Sequence, residues 1–320
     1  IARVLGGLSM RKEIIFTLEN CYRDNMDVYG FHFGKGEKAA CIVGAMRGNE
    51  VQQLYICSKL VQRLKELEQK GAIASGKCIT VIPSVNHYSM NVGKRFWPSD
   101  NTDINRLFPG FNLGETTQRI AAGLFEAVKG YEYGIQLASF YIPGDFVAHV
   151  RMMDTGYQNA SLANLFGLPY VVIRKPRPID TTTLNYNWQV WESNAFSVYT
   201  NKTDSIDEQS AQQAVSAILR FLNRMGILRY NCHGGFISST IHEDELMSVV
   251  SDVPGIFLRR KNAGEEVQVG DVLAEIIDPL EGEIREQILA PSDGVIFFAH
   301  DEPLVMEHST VFKLIKRLHI

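Results

Sequence analysis

The chain has 320 residues, 45% of them apolar and 21% charged, and carries a formal net charge of −4. That length is long for one hydrophobic core and suits one large domain plus a small one. The mild negative charge offers no electrostatic case for nucleic acid or an anionic membrane as partner, and no apolar run approaches the roughly 20 residues needed to cross a bilayer.

The opening "IARVLGGLSMRKE" lacks the cationic start, long apolar middle and small-residue cleavage site of a signal peptide. It also begins without Met, so the true start is expected to lie upstream. Cys21, Cys41, Cys57, Cys78 and Cys232 are scattered without CxxC spacing. An odd count with no framework pattern predicts reduced thiols and a cytoplasmic setting.

In chain order, "KAACIVGAM" (38–46) is a continuous apolar run, as a strand buried on both faces should be. Residues 50–70 place Leu54, Cys57, Leu60, Val61, Leu64 and Leu67 at helical spacing, and Gly71 supplies the stop. "KCITVIPSV" (77–85) is a second buried strand. Strand, helix and strand in that order form a right-handed crossover with parallel strands. "ETTQRIAAGLFEAV" reads as helix, "PYVVIR" as strand, and "DEQSAQQAVSAILRFLNRMG" as a long helix closing at Gly226. The first two-thirds are therefore expected to form an α/β domain, residues 1–228, with a mixed, parallel-rich sheet flanked by helices. From residue 229, "YNCHGGFISSTIHEDE" is polar and reads as a linker. "GIFLRR", "GEEVQVGDVLAEII", "ILAPSDGVIFFA" and "HSTVFKLI" then predict a small all-β module within 229–320.

Ligands gather at strand ends of open α/β sheets, where loops converge beside helix N-termini. "GAMRGNE" (44–50) leaves one such end and "PSVNHYSMNVGKRFWPSDNTDINRLFPG" (83–110) another. Within the second, "DINRLFPG" packs an acid, an amide and a guanidinium together. Arg106 offers a planar fork matched to a carboxylate, and Asn105 can add donors to the same anion. The bland alternative is a solvated turn in which Asp103 pairs with Arg106.

The run Asp-x-Asn-Arg-x-Phe-Pro-Gly, preceded by "IPSVNHYS", resembles the substrate-binding signature of the succinylglutamate desuccinylase/aspartoacylase family, which has a zinc carboxypeptidase-like fold. The likeness extends through "NLFGLPYVVIR", "AFSVYT" and "FLNRMGIL". The C-terminal "VQVGDVLAEI" and "APSDGV" resemble the barrel-sandwich appendage of many bacterial members. The resemblance implies a hydrolytic zinc held by His, Glu and a second His, a Glu as general base, and an Asn-Arg pair gripping the carboxylate of an N-acyl amino acid. It also implies that Arg95, or Lys94, polarises the scissile carbonyl.

Against that pattern the chain departs. Arg47 stands at the first His position, with no lone pair to give, while Glu50 is kept. "YGIQLAS" puts Gln136 and Ala138 where Asp and His are expected, and "FSVYTN" puts Tyr199 at the base. A catalytic zinc needs about three protein ligands, and one carboxylate does not hold it. A buried Glu50 without a metal would be an uncompensated charge, so Arg47 is expected to occupy the vacated space and pair with Glu50. His87, His149, His233 and His242 remain, but "CHGG" and "IHEDE" lack zincin spacing and read as solvated loops outside the cleft. The module's hairpin "DPLEG" lacks the lysine of a biotinyl or lipoyl carrier.

These readings lead to a non-hydrolytic pseudoenzyme with no cofactor, binding a small carboxylate-bearing ligand through Asn105, Arg106 and Arg95 around a vestigial centre of Arg47, Glu50, Ala138 and Tyr199. Two alternatives stand beside it: a divergent, zinc-dependent deacylase acting on N-acyl amino acids, and a structural subunit with a vestigial cleft. Homo-oligomerisation or a partner enzyme stays open.

Overall fold

A computed structural model describes residues 10–157 and 159–317. Residues 1–9 of the opening segment read above for a leader lie outside the described residues. Strands β1 (Arg11–Leu18) and β2 (Met26–Gly34) form an antiparallel hairpin that the sequence reading did not anticipate. The predicted crossover follows as β3 (Gly36–Ala45), α1 (Val51–Gln69) and β4 (Gly76–Ser84), with β3 and β4 parallel. Gly71 adopts φ +68° just past α1, the left-handed conformation that ends a helix at little cost to glycine. A short helix α2 (His87–Asn91) precedes α3 (Thr116–Val128) and β5 (Tyr133–Leu137). Then come β6 (Gly144–Phe146), β7 (His149–Met153), β8 (Tyr170–Arg174), α4 (Leu184–Val190), β9 (Asn194–Tyr199), α5 (Glu208–Arg224) and β10 (Ser239–His242).

Nine strands form one sheet in the order β1-β2-β4-β3-β5-β9-β7-β8-β10. Its centre, β4-β3-β5-β9, is parallel, and β7 runs antiparallel to β9. Alternation along β3 explains its unbroken apolar run: Ala40 and Ile42 join the core under α1 and α5, while Cys41 and Val43 join the core under α3 and α4. A strand covered on both faces has no polar side to present. The segment expected as linker is not wholly loop: Ser239–His242 extends the main sheet as a parallel neighbour of β8.

The C-terminal module comprises β11 (Met247–Val250), β12 (Gly255–Arg259), β13 (Glu266–Val267), β14 (Val272–Ile277), β15 (Ile284–Leu289), β16 (Gly294–His300), β17 (Leu304–Val305) and β18 (Thr310–Lys316). They form two antiparallel sheets, β11-β18-β16-β13 and β15-β14-β12-β17, packed over a shared core that includes Leu273, Ile296 and Phe312. The sheets do not close into a barrel. The module is tied to the α/β domain by β6, which pairs with β16, by an apolar cluster of Phe146, Val172, Phe297 and Phe298, and by Asp145, which ion-pairs with Lys202 and Arg259. This seam holds the module against the sheet end where the candidate site lies.

Candidate functional site

Beyond Ala45 the chain turns through Met46, Arg47, Gly48 and Asn49 into α1, whose N-cap is Glu50. The turn packs against the backbone of residues 89–95 so closely that a Cβ on Gly48 would lie 2.0 Å from the Lys94 carbonyl oxygen. Glu50 folds back under the turn. Its Oε2 accepts the backbone N–H groups of Met46 at 2.8 Å and Arg47 at 3.0 Å. Its Oε1 accepts from Ser139 Oγ and from Arg47 Nη1, the latter at 3.3 Å.

The Arg47 guanidinium is buried, and each of its three nitrogens donates to the protein. Besides Glu50, its Nη1 donates to the carbonyl and hydroxyl oxygens of Ser139. Its Nε and Nη2 grip the Asp103 carboxylate, with Nη2 to Oδ2 at 2.7 Å. The predicted Arg47–Glu50 pair is thus present, and Asp103 adds a second, closer partner. Burial pulls the Arg47 pKa down, but Glu50 and Asp103 more than offset it and hold the cation above its ordinary value. Asp103 therefore does not pair with Arg106, the solvated-turn alternative for "DINR"; it caps the turn by accepting from Asn105 N at 3.1 Å, and also accepts from Arg47 and from the Tyr141 hydroxyl, the latter at 3.4 Å.

Asn105 and Arg106 line a cavity of about 770 Å3 together with Arg47, Gln136, Ala138 and Tyr199. The amide oxygen of Asn105 is fixed by Gln136 Nε2 at 3.1 Å and Leu184 N at 3.4 Å, so its Nδ2 donors are the groups left for a ligand. Arg106 donates through Nη1 to the Ile179 carbonyl and to Asp180, and its guanidinium lies over the Tyr141 ring at 5.1 Å. Its Nε is buried and has no partner among the described residues. Buried donors are rarely left unpaired, and Nε with Nη2 forms the guanidinium edge that grips a carboxylate bidentately.

Arg95 is not brought into this cavity, contrary to the expectation that it binds substrate. Its Nη1 and Nη2 donate to the Tyr141 and Phe140 carbonyls, so it closes the 139–142 loop from behind. Lys94 is exposed. Ala138, at the end of β5, presents only a methyl group to the cavity. Tyr199 ends β9 and is buried, its ring stacked on His149 at 4.7 Å and 2° with the Arg151 guanidinium 4.8 Å above it. Burial raises its pKa, with Arg151, Arg47 and Arg174 opposing. A phenol kept protonated at neutral pH does not act as a general base.

The expectation that "IHEDE" lies outside the cleft is overturned. β10 carries His242 to the cavity, and Glu243 and Asp244 follow it there. Glu243 accepts from Arg174 Nη1 at 3.2 Å. Arg151, Arg174, Asp180 and Lys313 also line the cavity and were not identified from the sequence. Arg174 was readable only as a charge ending an apolar strand, and Lys313 not at all, because its strand comes from the other domain.

The donor set at the turn does not suit a divalent metal. Among the described residues no three His, Cys, Asp or Glu side chains converge. Glu50 has both oxygens engaged by protein donors, and the neighbouring guanidinium repels a cation.

Among the described residues, a nine-stranded mixed sheet carrying an Arg-Glu turn and an Asn-Arg turn, with a β module after it, defines a mixed α/β protein. The catalytic-domain model of the succinylglutamate desuccinylase/aspartoacylase family matches residues 37–225, and the chain belongs to that family. Among curated proteins it is similar to an N-alpha-acetyl-L-2,4-diaminobutyric acid deacetylase of Halomonas elongata, 27% identical over 143 residues, which are 42% of this chain and 39% of that protein. The match thus spans about two-fifths of that relative. Its fold is similar to a succinylglutamate desuccinylase of Silicibacter sp. TM1040, with a TM-score of 0.82, 19% identity and coverage of 95% and 94% of the two chains. It is also similar to an aspartoacylase family protein of Mesorhizobium loti, with a TM-score of 0.79, 20% identity and coverage of 98% and 96%.

Proposed function

We propose that this chain is a non-hydrolytic member of its family that binds a small carboxylate-bearing ligand of the N-acyl amino acid type. The observation that carries the reading is the Arg47 guanidinium, buried between Glu50 and Asp103 and donating to both from Nε, Nη1 and Nη2. A fixed cation there substitutes for the charge a metal would bring, but it has no lone pair and no open coordination position, so it cannot activate water. Ala138 offers no ligand atom and Tyr199 no base.

What the centre retains is recognition. The free edge of Arg106 and the Nδ2 donors of Asn105 converge on one cavity, with Gln136 fixing Asn105 and Asp180 fixing Arg106. The name of the Halomonas elongata relative, a deacetylase of an N-acetyl amino acid, supports the ligand class.

Two measurements test this. Metal analysis of protein purified without chelator should find well below one zinc per chain; stoichiometric zinc overturns the reading. Thermal-shift titration with N-acetyl amino acids should raise the melting temperature of the native chain and leave Arg106→Ala unmoved. Equal stabilisation of both proteins counts against the clamp.

A further inference from the structure

The cavity that Asn105 and Arg106 line also gathers positive charge from both domains. Arg151 lies on β7, Arg174 ends β8, Lys175 and Arg177 follow it, and Lys313 reaches in from β18 of the C-terminal module. Three carboxylates line the same cavity, Asp180, Glu243 and Asp244. Glu243 is shared, at 3.2 Å from Arg174 and 3.8 Å from Arg151. Asp180 is divided between Arg174 and Arg106.

Among the described residues the Lys313 amine has no hydrogen-bond or ion-pair partner. Its neighbours Phe312 and Leu314 are buried in the module core, which by strand alternation turns Lys313 to the other side, toward the cavity. Burial lowers the affinity of its amine for a proton; Glu243 opposes this in part, and Arg177, Arg174 and Arg151 add to it. Like charges drawn together against their own repulsion, with too few acids to balance them, call for an anion from outside.

We propose that this junction is a second anion site, built jointly by the α/β domain and the β module, that takes a phosphoryl group: inorganic phosphate or the phosphate of a small phosphomonoester. A single carboxylate would bring one charge and two coplanar oxygens. The basic groups come from β7, from β8 and the segment after it, and from β18 of the other domain, and a tetrahedral dianion with several acceptor oxygens answers all of them. The proposal does not depend on the N-acyl amino acid reading, because Lys313 and Arg151 are not part of that clamp.

The test titrates the full chain with sodium phosphate, and in parallel with glycerol phosphate, acetate and sodium chloride at matched ionic strength. Phosphate should stabilise the protein with a half-saturation near or below about 1 mM, and acetate at least about tenfold more weakly. Lys313→Gln and Arg151→Gln should each weaken phosphate binding about tenfold with unchanged circular dichroism. Arg106→Ala should keep the phosphate response while losing that to N-acetyl amino acids. Tighter binding of the ester than of free phosphate assigns the site to a phosphorylated metabolite, and the reverse assigns it to phosphate itself. A response to phosphate no larger than to chloride, or one undiminished in both glutamine variants, overturns the proposal. So does its loss in Arg106→Ala, which would mean a single shared anion site.

Discussion

Arg47 Nη2 lies 2.7 Å from Asp103 Oδ2, joining the turn after β3 to the turn that carries Asn105 and Arg106. The bond anchors the clamp-bearing turn to a guanidinium that is itself held by Glu50. Removing that guanidinium leaves two buried carboxylates without their cation. Breaking a buried pair by deleting one partner typically costs about 3–5 kcal/mol. Arg47→Ala should therefore lower the unfolding free energy in urea by about 3 kcal/mol or more, whereas a change of a few tenths would mean that the ion pairs are loose.

If Arg47 and Ala138 are the positions at which this chain lost imidazole ligands, restoring them should restore metal affinity. The double variant Arg47→His with Ala138→His places two imidazoles beside Glu50, close to the three-ligand set a catalytic zinc requires. Near-stoichiometric zinc by elemental analysis is expected for the double variant and not for either single one. Equal zinc content in the double variant and the native chain would show that these two positions do not face a common point.

Gln136 is predicted to act through Asn105. Its Nε2 bond fixes which end of the Asn105 amide faces the cavity. Gln136→Leu keeps similar bulk and removes that bond, so N-acetyl amino acid affinity should fall about five- to tenfold, the worth of one net hydrogen bond. Stability should change by less than about 1 kcal/mol. Isothermal titration together with urea unfolding separates the two effects.

His149 supplies a pH signature. Burial depresses its pKa to about 3, with Arg151 also lowering it and the Val147 carbonyl opposing. Because the folded value lies below the unfolded 6.5, its contribution to stability is complete above pH 6.5 and is lost as pH falls toward 3, where the unfolded chain takes up the proton first. The loss can reach about 1.4 kcal/mol per pH unit within that window. His149→Phe, whose ring suits a pocket lined by Phe140, Phe146 and Phe297, should show a shallower decline between pH 6.5 and 5. Parallel curves for the two proteins would place the titration elsewhere.

Local pattern made much of the α/β frame readable. The doubly buried strands β3 and β4 announce themselves as unbroken apolar runs, and α1 and α5 as helical periodicity closed by Gly71 and Gly226, because each of those signals is generated by neighbours in sequence. The hairpin β1–β2 was missed because Ile14 and Tyr29 face solvent, so its pattern is not that of a buried strand. The Arg47–Glu50 pair was legible for a similar reason: two residues three positions apart on one tight turn cannot lie far from each other.

What the sequence by itself determined was chemistry along the chain: a turn with a guanidinium and a carboxylate, and an Asn-Arg pair fit for an anion. Which acid each arginine answers was decided only by the tertiary structure. Asp103 is taken by Arg47 rather than Arg106, Arg106 leans on Asp180 seventy-four positions later, and Lys313 enters from another domain. Coulomb attraction and desolvation act through space and favour whichever partner the packed backbone brings within a few ångströms.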